Sequence, residues 1–160
     1  MSLDSKQVAN HFIELARNAQ SNITPMQLQK LVYIAHGYHL AFTGEPLINE
    51  AIEAWPFGPV VRSLYGEFAH FGRNPISRLA ECDFGGLIHP IEDPHVKRLL
   101  DKVWKEYSEY SGWQLSNLTH QSGTPWHMTV NNSENAGVRR PDIPNDLIRK
   151  YYADEMLNRA

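Results

Sequence analysis

The stretch TPMQLQKLVYIAHGYHLAFTGEP, residues 24–46, decides how the chain folds. Thr24 is a helix-capping residue, Pro25 suits the first helical position, and Gln27 stands where a capping box needs a side chain to reach back to the cap. Leu28, Leu31, Val32, Ala35 and Phe42 then recur at helical spacing. Gly44 stops the helix and Pro46 keeps it stopped.

On the N-terminal side, residues 4–20 read as a helix, because Val8, Phe12, Leu15, Ala16 and Ala19 share one face. On the C-terminal side, Ala51 to Trp55 alternates as a short strand, and Pro56-Phe57-Gly58-Pro59 forms a rigid turn. Pro59 is placed to open the next helix, which carries Val60, Val61, Leu64, Tyr65, Phe68 and Phe71 and ends at Gly72. Residues 73–91 read as a loop with room for a short hairpin. A helix capped by Asp93 and started by Pro94 runs to about Tyr110, with Val96, Leu99, Leu100, Val103, Trp104 and Tyr107 as its stripe. Ser111 and Gln114 form a second capping box, opening a short helix that holds Leu115, Leu118 and His120. Thr129 to Asp142 is a polar loop, and a last helix starting near Pro144 carries Leu147, Ile148, Tyr151, Tyr152 and Met156. The predicted fold is α+β and mainly α: a single compact helical domain over residues 1–160, with five to six helices and a short strand or hairpin.

Composition narrows the function. The chain has 160 residues, 42% apolar and 21% charged, with a formal net charge of −3. A nucleic-acid backbone is gripped by clustered Lys and Arg, so a slightly acidic chain argues against nucleic-acid binding. Cys82 is the single cysteine, which excludes an internal disulfide and a cysteine-based metal framework. The start MSLDSKQ is polar and no apolar run is long enough to span a bilayer, so a cytoplasmic protein without membrane contact is expected.

LTHQSGTPWH, residues 118–127, is the stretch that looks most like chemistry. It sets Thr119 beside His120 and Trp126 beside His127. Adjacent helical residues point about 100° apart, so Thr119 and His120 are badly placed to act as nucleophile and base. The structural reading is a helix C-terminus, with Gly123 and Pro125 ending it. His36 and His39 are three apart on one helix, a spacing two metal ligands could use, but no third ligand or HExxH pattern accompanies them. No metal and no cofactor is therefore expected. Glu50 and Glu53 would face opposite sides of a strand. Glu81 and Asp83 flank Cys82 and disfavour a thiolate. No phosphate-cradling glycine loop or nucleophile elbow is present. On the residues alone the chain is a mainly α globular protein without an evident catalytic site, and a hydrolase using His120 or His36 is the alternative.

Four stretches taken together resemble the Panacea domain family of SocA-like antitoxins and phage-associated GepA-like proteins. They are LQKLVYIAHGYHLAFTGEPL (28–47), EAWPFGPVV (53–61), WQLSNLTHQSGTPW (113–126) and IPNDLIRKYY (143–152). Their order and spacing extend the resemblance over about residues 8–152. Family members often read Gln and Trp where this chain has His36 and Tyr38, and often have another residue in place of Pro56. The resemblance implies a non-enzymatic antitoxin that neutralises a cognate protein toxin, encoded by a neighbouring gene, through direct binding. For some members it implies delivery of the toxin to a protease. Self-repression through DNA binding is a weaker alternative. It further implies a structural framework of Trp55, Gly58, Pro59, Thr119, Pro125 and Trp126, and places Lys30, Tyr33, Phe57 and His120 near a shared groove.

Overall fold

The computed structural model describes residues 2–159. Seven α-helices and one β-hairpin follow in the order α1 (Ser5–Asn18), α2 (Pro25–Thr43), β1 (Glu53–Trp55), β2 (Gly58–Val60), α3 (Arg62–Phe68), α4 (Pro94–Tyr107), α5 (Gly112–His120), α6 (Pro125–Val130) and α7 (Asn145–Arg159). Short 3₁₀ turns lie at Ala69–Phe71 and Ser133–Asn135. The fold is mainly α with a short strand pair.

α2 is the axle of the molecule. It packs against α1, α3, α4, α5, α7 and β2. Its start is local chemistry: the Thr24 hydroxyl accepts from the Gln27 amide while the Gln27 side chain accepts from the Thr24 amide at 2.8 Å. Expected to present one apolar face, it is instead buried on nearly every side from Leu28 to Tyr38, as a helix surrounded by others must be. Phe42, read as part of its stripe, lies past that buried section and is 59% exposed. The tightest approach is to α7, where Gly37 faces the ring of Tyr152. Tyr152 in turn meets Tyr33, Tyr38 and Tyr151 edge-on, with centroids 5.9, 5.7 and 5.1 Å away.

Two expectations are corrected. Pro59 does not open a helix; it lies in β2, opposite Ala54 in an antiparallel register. The helix waits until Arg62, because Val61 is held extended at φ −93° and ψ 113° with both its backbone groups engaged by the Gln29 side chain. Pro125 does not simply end a helix; it opens α6, capped by the Thr124 hydroxyl accepting from the His127 amide at 3.2 Å. The Thr-Pro pair that starts α2 is repeated there.

His36 closes the packing of α2 on α7. It is fully buried; the Ile48 amide donates to Nδ1 at 3.4 Å, so Nε2 carries the proton and donates to Asn145 Oδ1 at 2.9 Å. Burial holds its pKa below the ordinary 6.5, with His39 pushing the same way and the Asn145 bond opposing. The folded state therefore binds the proton less readily than the unfolded chain, and the stability this confers is complete above about pH 6.5 and is lost as pH falls further. Thermal unfolding from pH 8 to 5 is expected to show a decline that is shallower in His36→Gln. Equal slopes in the two proteins would remove His36 from the acid response.

Candidate functional site

The β-hairpin is too short to hold itself, since isolated two-stranded ribbons are marginal in water. Its alternate carbonyls are held from outside. Trp126 Nε1 donates to the Trp55 carbonyl at 2.6 Å, Ser116 Oγ to Phe57 at 2.6 Å, Lys30 Nζ to Pro59 at 3.0 Å and Gln29 Nε2 to Val61 at 3.0 Å. The four carbonyls recur at every second residue through the hairpin and its turn, and α2, α5 and α6 each supply donors to them. Gly58, at φ +118°, makes the turn; a Cβ there would stand 3.2 Å from Lys30 Cε and 3.4 Å from Thr119 Oγ1. The position thus requires glycine for conformation and for room.

So mounted, the hairpin walls an apolar groove of about 260 Å³ between itself, the start of α2 and α3. Met26 and Leu28, Trp55 and Phe57, and Leu64 and Phe68 are among its lining residues. Phe57 at the hairpin tip is 56% exposed and meets Trp113, itself 52% exposed, at right angles with centroids 5.5 Å apart. Tyr65 rests on Trp55 at 4.7 Å, and the Arg140 guanidinium covers the Trp55 ring at 3.7 Å. Beneath Trp55, Glu53 accepts from the indole Nε1 at 2.9 Å and from Arg62. Partial burial alone would raise the Glu53 pKa, but these hydrogen bonds and the charges of Arg62 and Arg140 bring it below the ordinary carboxylate value. Rigid aromatics at the rim of an apolar cavity are the usual anchors of protein recognition.

Lys30 lines the groove and is 2% exposed. Among the described residues no carboxylate forms a salt bridge with it. Burial lowers its pKa from 10.5 to about 7. Of the four residues expected near a shared groove, Lys30 and Phe57 line this one. Tyr33, one turn along α2, is 1% exposed and faces Tyr152 in the core. His120 lies behind the hairpin, its ring 5.2 Å from Trp126 and its Nδ1–H donating to the Ser116 carbonyl at 2.5 Å. Thr119 Oγ1 lies 2.8 Å from the Leu115 carbonyl and 3.2 Å from the Ser116 carbonyl that His120 also uses, so both side chains are spent on helix backbone carbonyls and not on each other. No group of three or more His, Cys, Asp or Glu that could hold a metal ion occurs among the described residues. Sequence reading did not single out Gln29 or Ser116; each has its partner far along the chain, and no local pattern marks them.

The family model described as Antitoxin SocA-like, Panacea domain, matches residues 28–127, more than half of the chain. That span holds Lys30, the hairpin, α5 and Trp126. The chain is also similar to Antitoxin SocA of Caulobacter vibrioides (strain NA1000 / CB15N), at 34% identity over 135 residues that make up 81% of this chain and 72% of that protein. No solved structure matches. No helix among the described residues is long and apolar enough to cross a membrane.

Proposed function

Because the chain belongs to the family of SocA-like antitoxins with a Panacea domain, we propose that it neutralises a cognate toxin, the product of a neighbouring gene, by binding that protein in the cytoplasm at the groove beside the hairpin. Membership in the family carries an antitoxin role in a toxin–antitoxin system. The observation that supports the groove as the contact face is the exposed Phe57–Trp113 pair, Phe57 at the tip of a hairpin whose carbonyls are held by three helices and Trp113 on α5 beside it. Such anchors are ordered before the partner arrives, so little conformational freedom is lost on binding. The framework role of Trp55, Gly58, Pro59, Thr119, Pro125 and Trp126 is to hold that tip in place.

Co-expression with each adjacent reading frame tests this. One neighbour should be toxic alone, harmless with this chain, and should purify with it as a stoichiometric complex. A toxin that instead disappears faster in its presence would identify delivery to a protease as the mode. Failure of every neighbour to bind would overturn the reading. Phe57→Ala and Trp113→Ala are each expected to weaken toxin binding about tenfold, as removal of an interface aromatic does, while leaving the unfolding temperature nearly unchanged because both side chains are half in solvent. Unaltered affinity in both would move the contact face elsewhere.

A further inference from the structure

Four donors hold the hairpin carbonyls, and three of them are neutral: the Trp126 indole, the Ser116 hydroxyl and the Gln29 amide. The fourth is the Lys30 ammonium, buried in an apolar wall. A neutral donor would suffice for pinning the Pro59 carbonyl, and burying a cation without a counter-charge is unfavourable. An ammonium carries three N–H donors. One reaches the Pro59 carbonyl, and no described carboxylate pairs with the charge. Among the described residues lining the groove, Lys30 is the single cation and no Asp or Glu joins it.

We propose that the groove selects a toxin segment that sets an aspartate or glutamate side chain between large apolar residues, the carboxylate pairing with Lys30 and the apolar residues resting on Trp55, Phe57 and Leu64. This rests on the reading of the groove as the toxin-binding face. The lining is drawn from three elements, the start of α2 from Pro25, the hairpin, and α3 through to Gly72, so an occupant would touch all three. The protein's net charge of −3 disfavours a broadly acidic partner. The complementary charge is therefore local, one carboxylate at one position. A segment lacking the acid forgoes the ammonium–carboxylate pair and leaves the buried amine without an ionic partner, so the site favours a segment that carries the acid. Since burial brings Lys30 to about 7, the free protein at pH 8.5 holds mostly neutral amine, and pairing with a carboxylate draws a proton from solution.

The test uses the full chain and the toxin identified by co-expression. Calorimetric titration at pH 8.5 in two buffers of different ionisation heat is expected to show uptake of close to one proton on binding. Lys30→Met should weaken binding at least tenfold and abolish the uptake, with thermal unfolding confirming that it is folded. Asp→Asn and Glu→Gln substitutions in the toxin leave this chain untouched. One of them should reproduce the loss against the wild-type chain and add nothing against Lys30→Met. Wild-type affinity in Lys30→Met, or no acidic position in the toxin that couples to it, overturns the proposal while leaving the toxin-binding reading standing. Failure of the wild-type chain to hold any toxin overturns that reading, and the proposal with it, before a variant is made.

Discussion

Gly37→Ala is expected to destabilise the protein by about 2–3 kcal/mol, in spite of the better helix propensity of alanine. In an open helix the exchange would gain roughly 1 kcal/mol. Here the added methyl would lie 2.2 and 2.4 Å from Cδ2 and Cε2 of Tyr152. Those are ring carbons, and the ring cannot swing aside, because Tyr33, Tyr38 and Tyr151 enclose it. The remaining relief is to push α7 away from α2, loosening packing along both helices. Overpacking of this kind costs about 1–3 kcal/mol and sometimes more, and two contacts this short put the site at the upper end. Urea unfolding measures the effect. Gly37→Ala combined with Tyr152→Leu, which makes room for the methyl, should be less destabilised than the two single changes summed. A single variant as stable as the wild type would show that α7 yields easily.

Lys30→Met is expected to act in the opposite direction and raise stability at pH 7.5 by about 1–3 kcal/mol. The ordinary lysine value is 10.5 and burial brings Lys30 to about 7. Between those values the unfolded chain holds a proton that the folded chain has given up, so wild-type stability climbs as pH rises from about 7 to 10.5. At 1.4 kcal/mol per pH unit the burial penalty is at most about 5 kcal/mol. Methionine removes the penalty but also the bond to the Pro59 carbonyl, worth about 1 kcal/mol or somewhat more when the acceptor is left unpaired; the balance remains favourable. Chemical unfolding at pH 7.5 and 9.5 should show a pH-dependent gain in the wild type that is flattened in the variant. A variant less stable than the wild type at both pH values would make Lys30 a net stabiliser of the hairpin. Together with the binding test, the expected result describes a residue kept at the expense of stability for what it recognises.

The helix starts were legible because their causes are local. Thr24-Pro25 with Gln27, Ser111 with Gln114, and Asp93-Pro94 each place cap and partner within one turn. What was illegible depends on distant partners. Nothing around Val61 says that Gln29, 32 residues earlier, holds it extended, so Pro59 reads as a helix start when it is a strand residue. α2 carries Gln29, Lys30 and His36 inside its buried stretch, and a string shows polar residues without showing the backbone groups that satisfy them. The resemblance put Lys30 and Phe57 near one groove; Lys30 stands on α2 and Phe57 at the hairpin tip, and both line the groove between those elements. Tyr33 faces Tyr152 in the interior, since neighbouring positions on an enclosed helix meet different elements, while His120, at the end of α5, meets Trp126.

The four side-chain bolts on the hairpin separate what holds it from what it displays. Trp126, Ser116, Lys30 and Gln29 grip carbonyl oxygens, which every amino acid has, and so place no demand on the side chains at Pro56 and Phe57. Those two positions are exposed at the tip, and an exchange there alters the surface shown to a partner without unfastening the mount. A lineage built this way can change its target by a few exchanges at the tip and inherit the chassis intact.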